Sequence, residues 1–183
     1  MTAAITGHVF IAASVDGFIA RSDGDIAWLD RYAPGMEDHG YDAFMAGIDG
    51  LVMGRGTFEK VLTFGGWPFA KPVTVLSDTL REKDLRGDLA GKVRVSALAP
   101  REAMAKFAAD GWRRVYVDGG KVIQSFLREG LIADMTVTRI PVLLGDGIPL
   151  FGSLPADVAL RHVATRAFPS GLVQSTYAIG SPA

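Results

Sequence analysis

Cysteine is missing altogether from the 183 residues, which removes disulfides, thiolate metal sites and cysteine nucleophiles. A surplus of one charge is missing as well, since 19 Lys and Arg stand against 20 Asp and Glu. General binders of phosphate backbones carry a basic excess, so no nucleic-acid partner is expected, although scattered cations can still hold one phosphorylated ligand. Histidine is scarce: His8, His39 and His162 lie far apart, without short ligand spacing, and no metal site is expected. No uninterrupted apolar stretch reaches membrane-spanning length. The N-terminus lacks a basic segment followed by an apolar run and a cleavage site. No membrane partner and a cytoplasmic location are therefore expected. Without a linker, repeat or low-complexity segment, residues 1–183 read as one domain.

What is present is core-forming material, 49% hydrophobic residues, arranged as alternating strands and helices. Residues 8–14 predict a central strand, apolar on both faces. Asp16-Gly17 supplies turn chemistry before a short apolar step at 18–20. Residues 22–25 read as a loop, with Trp28 and Leu29 as its apolar anchor. Tyr41, Phe44, Met45 and Ile48 fall at helical spacing within 37–48. Strands follow at 50–54, 73–77, 93–96 and 115–117, and helices near 57–62, from Pro100, and at 122–128. The end of the chain is strand-rich, at 133–142, 158–168 and 172–179, with Pro169-Ser170-Gly171 as a hairpin turn. This order predicts an α/β fold whose sheet is mixed, parallel in the middle and antiparallel at its C-terminal edge.

Two segments carry chemistry. In Leu51-Val52-Met53-Gly54-Arg55-Gly56-Thr57 a buried strand ends in glycine just before a helix. Gly54 lets the backbone approach a ligand, the free amides of the helix favour a phosphate, Thr57 can cap the helix or donate its hydroxyl, and Arg55 can add a charge-assisted bond. Asp118-Gly119-Gly120-Lys121 repeats the arrangement, with Lys121 as an additional cation. An ordinary strand-to-helix turn with solvated cations has the same composition. Neither segment is the G-x-G-x-x-G fingerprint or a G-x-x-x-x-G-K-[ST] loop, but two glycine-terminated strands at one sheet end point together to a diphosphate.

M-G-R-G-T-F-E (53–59), K-P-V-T-V-L-S (71–77) and V-D-G-G-K (117–121) resemble segments of dihydrofolate reductases. I-A-A-S-V-D-G-F-I-A (11–20) and the stretch from Gly130 to Phe151 resemble the C-terminal reductase domain of the bifunctional riboflavin-biosynthesis deaminase-reductase. The similarity runs in order over roughly residues 7–152. It implies a three-layer α/β/α dihydrofolate reductase-like fold and an NAD(P)H-dependent reductase of a pteridine- or pyrimidine-type substrate, similar to 5-amino-6-(5-phosphoribosylamino)uracil reductase. True dihydrofolate reductase and a non-catalytic dinucleotide-binding protein are the alternatives. The resemblance places Ala13 and Ser14 beside the nicotinamide, Gly54, Arg55 and Thr57 on the diphosphate and adenosine side, Ser77 near the adenosine ribose, and Gly119 and Gly120 beneath the cofactor, where dihydrofolate reductases have a cis peptide.

The resemblance implies NADPH as the cofactor, with NADH as the alternative. Asp78 would repel a 2′-phosphate, for which Arg55 and Arg81 can compensate. Dihydrofolate reductases bind the pterin ring through a helix carboxylate, and the resemblance, counted back from Gly54, implies Asp38 for that role, with Glu37 adjacent; acids near a helix start also simply favour the helix dipole. Asp16 is read as a turn residue. Where the riboflavin reductases carry a D-x-P-x-L-x-x-R stretch for the ribose phosphate, this chain has the aromatic Phe64-Gly65-Gly66-Trp67-Pro68-Phe69, either a stacking surface or a packed loop. The deaminase half, which needs cysteines, is absent. The apolar stretch Ile140 to Phe151 is expected to offer an edge for pairing subunits, and the resemblance implies a homodimer.

Overall fold

A computed structural model describes residues 4–32 and 38–180. Its strands are β1 (Thr6–Ser14), β2 (Phe18–Ala20), β3 (Gly50–Gly54), β4 (Val73–Leu76), β5 (Val93–Ser96), β6 (Arg114–Asp118), β7 (Ile132–Ile140), β8 (Ile148–Pro149), β9 (Leu160–Ala167) and β10 (Val173–Ile179). The α-helices are α1 (Trp28–Tyr32), α2 (Tyr41–Ala46), α3 (Arg55–Val61), α4 (Pro100–Ala109) and α5 (Gly120–Arg128).

Eight strands form one sheet in the order β5-β4-β3-β6-β1-β7-β10-β9. Pairing is parallel from β5 through β7 and antiparallel at β7/β10 and β10/β9, so the expected mixed sheet with an antiparallel C-terminal edge is present. The reason is visible strand by strand. In β3 the run Leu51, Val52 and Met53 is wholly buried, as a strand covered on both faces must be. The hairpin joining β9 to β10 closes through Gly171 at φ +87°, with the Leu172 carbonyl accepting from the Phe168 N–H at 2.9 Å.

Helices cover both faces. Val122, Ile123, Phe126 and Leu127 form the stripe of α5 and pack with Ala103, Met104 and Phe107 of α4. Phe58 of α3 packs on the opposite face with Ile48, Met53 and Tyr116, and Phe44 of α2 joins them. Each such fully buried large side chain contributes roughly 1.5–3 kcal/mol. This division follows from the topology. From β3 the chain marches outward to β5, then returns to insert β6 between β3 and β1, and right-handed crossovers of opposite march put their helices on opposite faces. The reversal leaves a crevice beyond the carboxyl ends of β3 and β6, where α/β sheets bind ligands.

Several elements depart from the sequence reading. The loop anchor at Trp28 is a short helix, α1. Ile148 and Pro149 pair with β2 as a separate two-stranded ribbon. The helix expected over 37–48 begins, within the described residues, at Tyr41, because Gly40 adopts φ +80°.

Candidate active site

A cleft of about 1260 Å³ runs along the carboxyl edge of the parallel strands. Its floor includes Gly54, Leu76 and Asp118, the last residues of β3, β4 and β6, and the β2/β8 ribbon forms a wall with Ile19, Ala20 and Ile148. The two glycine turns meet here. A Cβ built on Gly119 would lie 2.2 Å from Thr57 Oγ1, and one on Gly54 would lie 3.2 Å from Val122 Cγ2. Helices α3 and α5 therefore start side by side, and neither has a side-chain cap at its N-terminus. Their first-turn amides have no intrahelical partners, and the helix dipoles add positive potential.

Gly54, Arg55, Thr57, Ser77, Gly119, Gly120 and Lys121 all line this cleft. Arg55 Nε donates to Glu59 at 2.6 Å, and its terminal nitrogen donates to Thr79 Oγ1 at 2.9 Å, tying α3 to the loop after β4. Ser77 Oγ accepts from the Leu80 N–H at 3.0 Å and so shapes that loop. Arg81 folds back on it, donating to the Asp78 carbonyl at 2.7 Å. Lys121 is exposed beside the glycine pair.

Other expected residues lie elsewhere. Ala13 packs in the core. Ser14 is fully buried and donates to Asp16 at 2.6 Å while accepting from the Phe18 N–H; Ile11 and Ala12 of the same strand line the cleft instead. Asp16 accepts from the amides of Leu144 and Gly145 and is held below the usual carboxylate range, first by the Ser14 hydroxyl. It clasps a turn, as the local pattern suggested. Asp38 is exposed outside the cleft lining, and its carboxylate accepts from the Gly40 N–H at 2.7 Å. Glu37 lies outside the described residues. The Gly119–Gly120 peptide is trans, as is every described peptide bond; Gly119 turns the chain through φ +87°, ψ 137° instead.

Sequence reasoning passed over Asp118. This carboxylate ends β6 inside the cleft, directly ahead of the glycine pair. Burial pushes its pKa up to about 6, against the opposing pull of the Gly119 N–H, 2.8 Å away, and of the Tyr116 hydroxyl. Tyr116 donates to the Phe10 carbonyl at 2.8 Å, and Tyr41 lines the cleft nearby, its pKa raised to about 12 by burial and by the Asp118 charge. The available signal was an acid preceding Gly-Gly at a strand end. Among the described residues no group of three or more His, Cys, Asp or Glu forms a metal site, and no helix is long and apolar enough to cross a membrane.

Residues 6–174 match the RibD C-terminal domain. The chain belongs to the RibD C-terminal domain family. The resemblance drawn from the dispersed motifs is thereby borne out, and a reductase of the riboflavin-biosynthesis type is what this family membership indicates. The RibD-like chain is 33% identical over 167 residues to the uncharacterized protein YwjB of Bacillus subtilis (strain 168), covering 87% of this chain and 90% of that one. A crystal structure of a Shewanella sp. PV-4 protein named for riboflavin biosynthesis superposes with a TM-score of 0.90 at 40% identity, over 97% of this chain and all of the other. Dihydrofolate reductase from Enterococcus faecalis, solved with NADP(H), shares the fold at a TM-score of 0.62 and 19% identity, over 96% and 97% of the two chains. The RibD-like domain thus has the dihydrofolate reductase-like three-layer α/β/α architecture.

Proposed function

We propose that the chain is an NADPH-dependent reductase that transfers hydride to a C=N bond of a pteridine- or pyrimidine-type ring. The observation that supports this most is the contact between the two glycine turns, Gly119 against Thr57, at a sheet edge where two uncapped helices begin. Gly54, Arg55, Thr57, Gly120 and Lys121 line the cleft around this contact, and their free amides, hydroxyl and cations fit a diphosphate group. The dinucleotide, when bound, supplies the hydride.

The chain's own residues supply position and charge. First-turn amides of α3 and α5 hold the diphosphate, and Arg55 and Lys121 neutralise it. Arg55 and Arg81 flank the loop of Ser77 and Asp78, offsetting the Asp78 carboxylate, and this favours NADPH over NADH. Ile19, Ala20 and Ile148 exclude water from one side. Asp118 holds the proton on its carboxyl group, with a pKa of about 6 that leaves a usable protonated fraction near neutrality. Asp38, which caps Gly40 outside the cleft, has no part in this assignment.

Titration of NADPH fluorescence tests the reading. Saturable one-to-one binding is expected, weakened at least tenfold in Arg55→Ala/Lys121→Ala. A wild-type protein that takes no dinucleotide overturns it.

A further inference from the structure

We propose that the substrate part of the cleft takes an unphosphorylated flat heterocycle, neutral or cationic, and discriminates against its phosphorylated counterpart. The proposal rests on the reductase reading above, which assigns the glycine turns to the dinucleotide.

The charges lining the cleft carry the argument. The cations are Arg55, Lys60 and Lys121. Arg55 is bonded to Glu59 at 2.6 Å and stands, with Lys121, where the diphosphate binds. Among the described lining residues only Lys60 is left for a substrate. It already faces Asp25 at 3.8 Å, and Asp23 lies on the same loop, its Oδ1 accepting from the Asp25 N–H at 2.9 Å. A substrate phosphate would therefore meet the Asp23 and Asp25 carboxylates, with no unneutralised cation among the described lining residues to receive it.

The walls fit a ring instead. Leu29, Tyr41, Phe64 and Phe69 line the cleft, and Phe64 leaves 52% of its surface exposed there. Apolar and aromatic walls of this kind favour stacking on a flat ring.

Matched pairs test the proposal: uridine, cytidine and riboflavin, each against its 5′-monophosphate, added at millimolar concentration to protein saturated with NADP⁺ and followed by saturation-transfer NMR. At least one unphosphorylated member is expected to bind at least tenfold more tightly than its phosphate, about 1.4 kcal/mol. In Asp23→Asn/Asp25→Asn, which keeps the local hydrogen-bond acceptors and frees Lys60, that ratio should fall toward one through tighter binding of the monophosphate. Equal or tighter binding of the monophosphates by the wild type overturns the proposal, as does absence of binding by all three unphosphorylated members or an unchanged ratio in the double variant. Failure of NADP⁺ to bind is a separate result: it removes the reductase reading, while the ratio measured on the unliganded protein still decides the phosphate question.

Discussion

Thr57 Oγ1 occupies the space that a side chain on Gly119 would need, 2.2 Å from the position of the absent Cβ. Gly119 also holds φ +87° and ψ 137°, a conformation essentially closed to other residues. Gly119→Ala is therefore expected to cost about 2–4 kcal/mol of stability and to weaken dinucleotide binding at least tenfold. Gly56 is the internal control. It lies one residue from Thr57, its Cβ would meet nothing within 4 Å, and its φ is not positive, so Gly56→Ala should change stability by less than about 0.5 kcal/mol. Denaturant melts of the two variants check the contrast, and NADPH titration reads the loss expected of Gly119→Ala. Equal behaviour would mean that the turns are not interlocked.

Asp118 makes stability and activity depend on pH in a defined direction. Its folded pKa, about 6, lies above the 3.8 of an ordinary aspartate. The folded state then binds the proton more tightly than the unfolded state, so stability is greatest below about pH 4 as far as this group is concerned and falls as pH rises through 6. The loss is on the order of 1–3 kcal/mol. Asp118→Asn should remove that slope and be the more stable protein at pH 8. If Asp118 delivers the proton, turnover with an accepted substrate should decline above pH 6 in the wild type and drop about 100-fold or more in the variant. Asp16 and Asp49 work in the opposite sense. Both are held below the usual carboxylate range, Asp16 chiefly by Ser14 and Asp49 by the amides of Arg114 and Arg113, so their contribution disappears only on strong acidification. Chemical denaturation across pH 4–8 separates the two behaviours.

These residues also show what a sequence discloses. Strand β3 was legible to the residue because its apolar run ends in glycine, and β5 because its Val-Arg-Val-Ser alternation lies between Gly91 and Pro100. The glycine turns were legible because only backbone chemistry was being read. The phase of β1 was not: a strand buried on both faces does not announce which alternate residues meet the crevice, and Ala12, not Ala13, lines it. The β2/β8 ribbon was invisible because a tertiary fit creates it, with Gly147 so close to the Ala20 carbonyl that a Cβ would lie 2.2 Å from its oxygen. Asp118 escaped for the same reason, since its raised pKa comes from burial by elements remote in the chain. Asp38 sat at the right distance in sequence, but the left-handed turn at Gly40 spends its carboxylate on a local cap.

Gly50 and Trp112 provide a test of the core away from the cleft. The indole lies where a Gly50 side chain would project, with ring carbons 2.2 and 2.5 Å from an ideal Cβ. The same ring stacks on Phe107 at a centroid distance of 4.8 Å and carries the Arg94 guanidinium 5.1 Å from its centroid, so moving it aside breaks these contacts. Gly50→Ala is expected to cost about 2–3 kcal/mol through overpacking. Trp112→Leu should cost stability alone yet soften the effect of Gly50→Ala, giving a coupling of about 1 kcal/mol or more in a double-mutant cycle. Additive effects would refute the contact.

The outer edge of the sheet leads to the last expectation, that the chain associates as a homodimer. All eight residues of β9 are exposed, and β9 closes the strand order with only β10 beside it. Leu160 and Val163 on this strand leave 46% and 51% of their surfaces uncovered. An edge strand with open backbone groups and apolar side chains is a template for pairing, and an antiparallel pairing of β9 with a second β9 is self-complementary about a two-fold axis. The stretch from Ile140 to Phe151 contributes less than its sequence suggests. Ile140 and Leu150 are buried in the core, while Leu143 and Phe151 remain exposed. Light scattering should give the mass of two chains, and Val163→Lys should halve it without changing dinucleotide affinity, because β9 is separated from the cleft by β10 and β7. A wild-type protein that stays monomeric at tens of micromolar contradicts the expectation, and a dimer indifferent to Val163→Lys moves the interface to another surface.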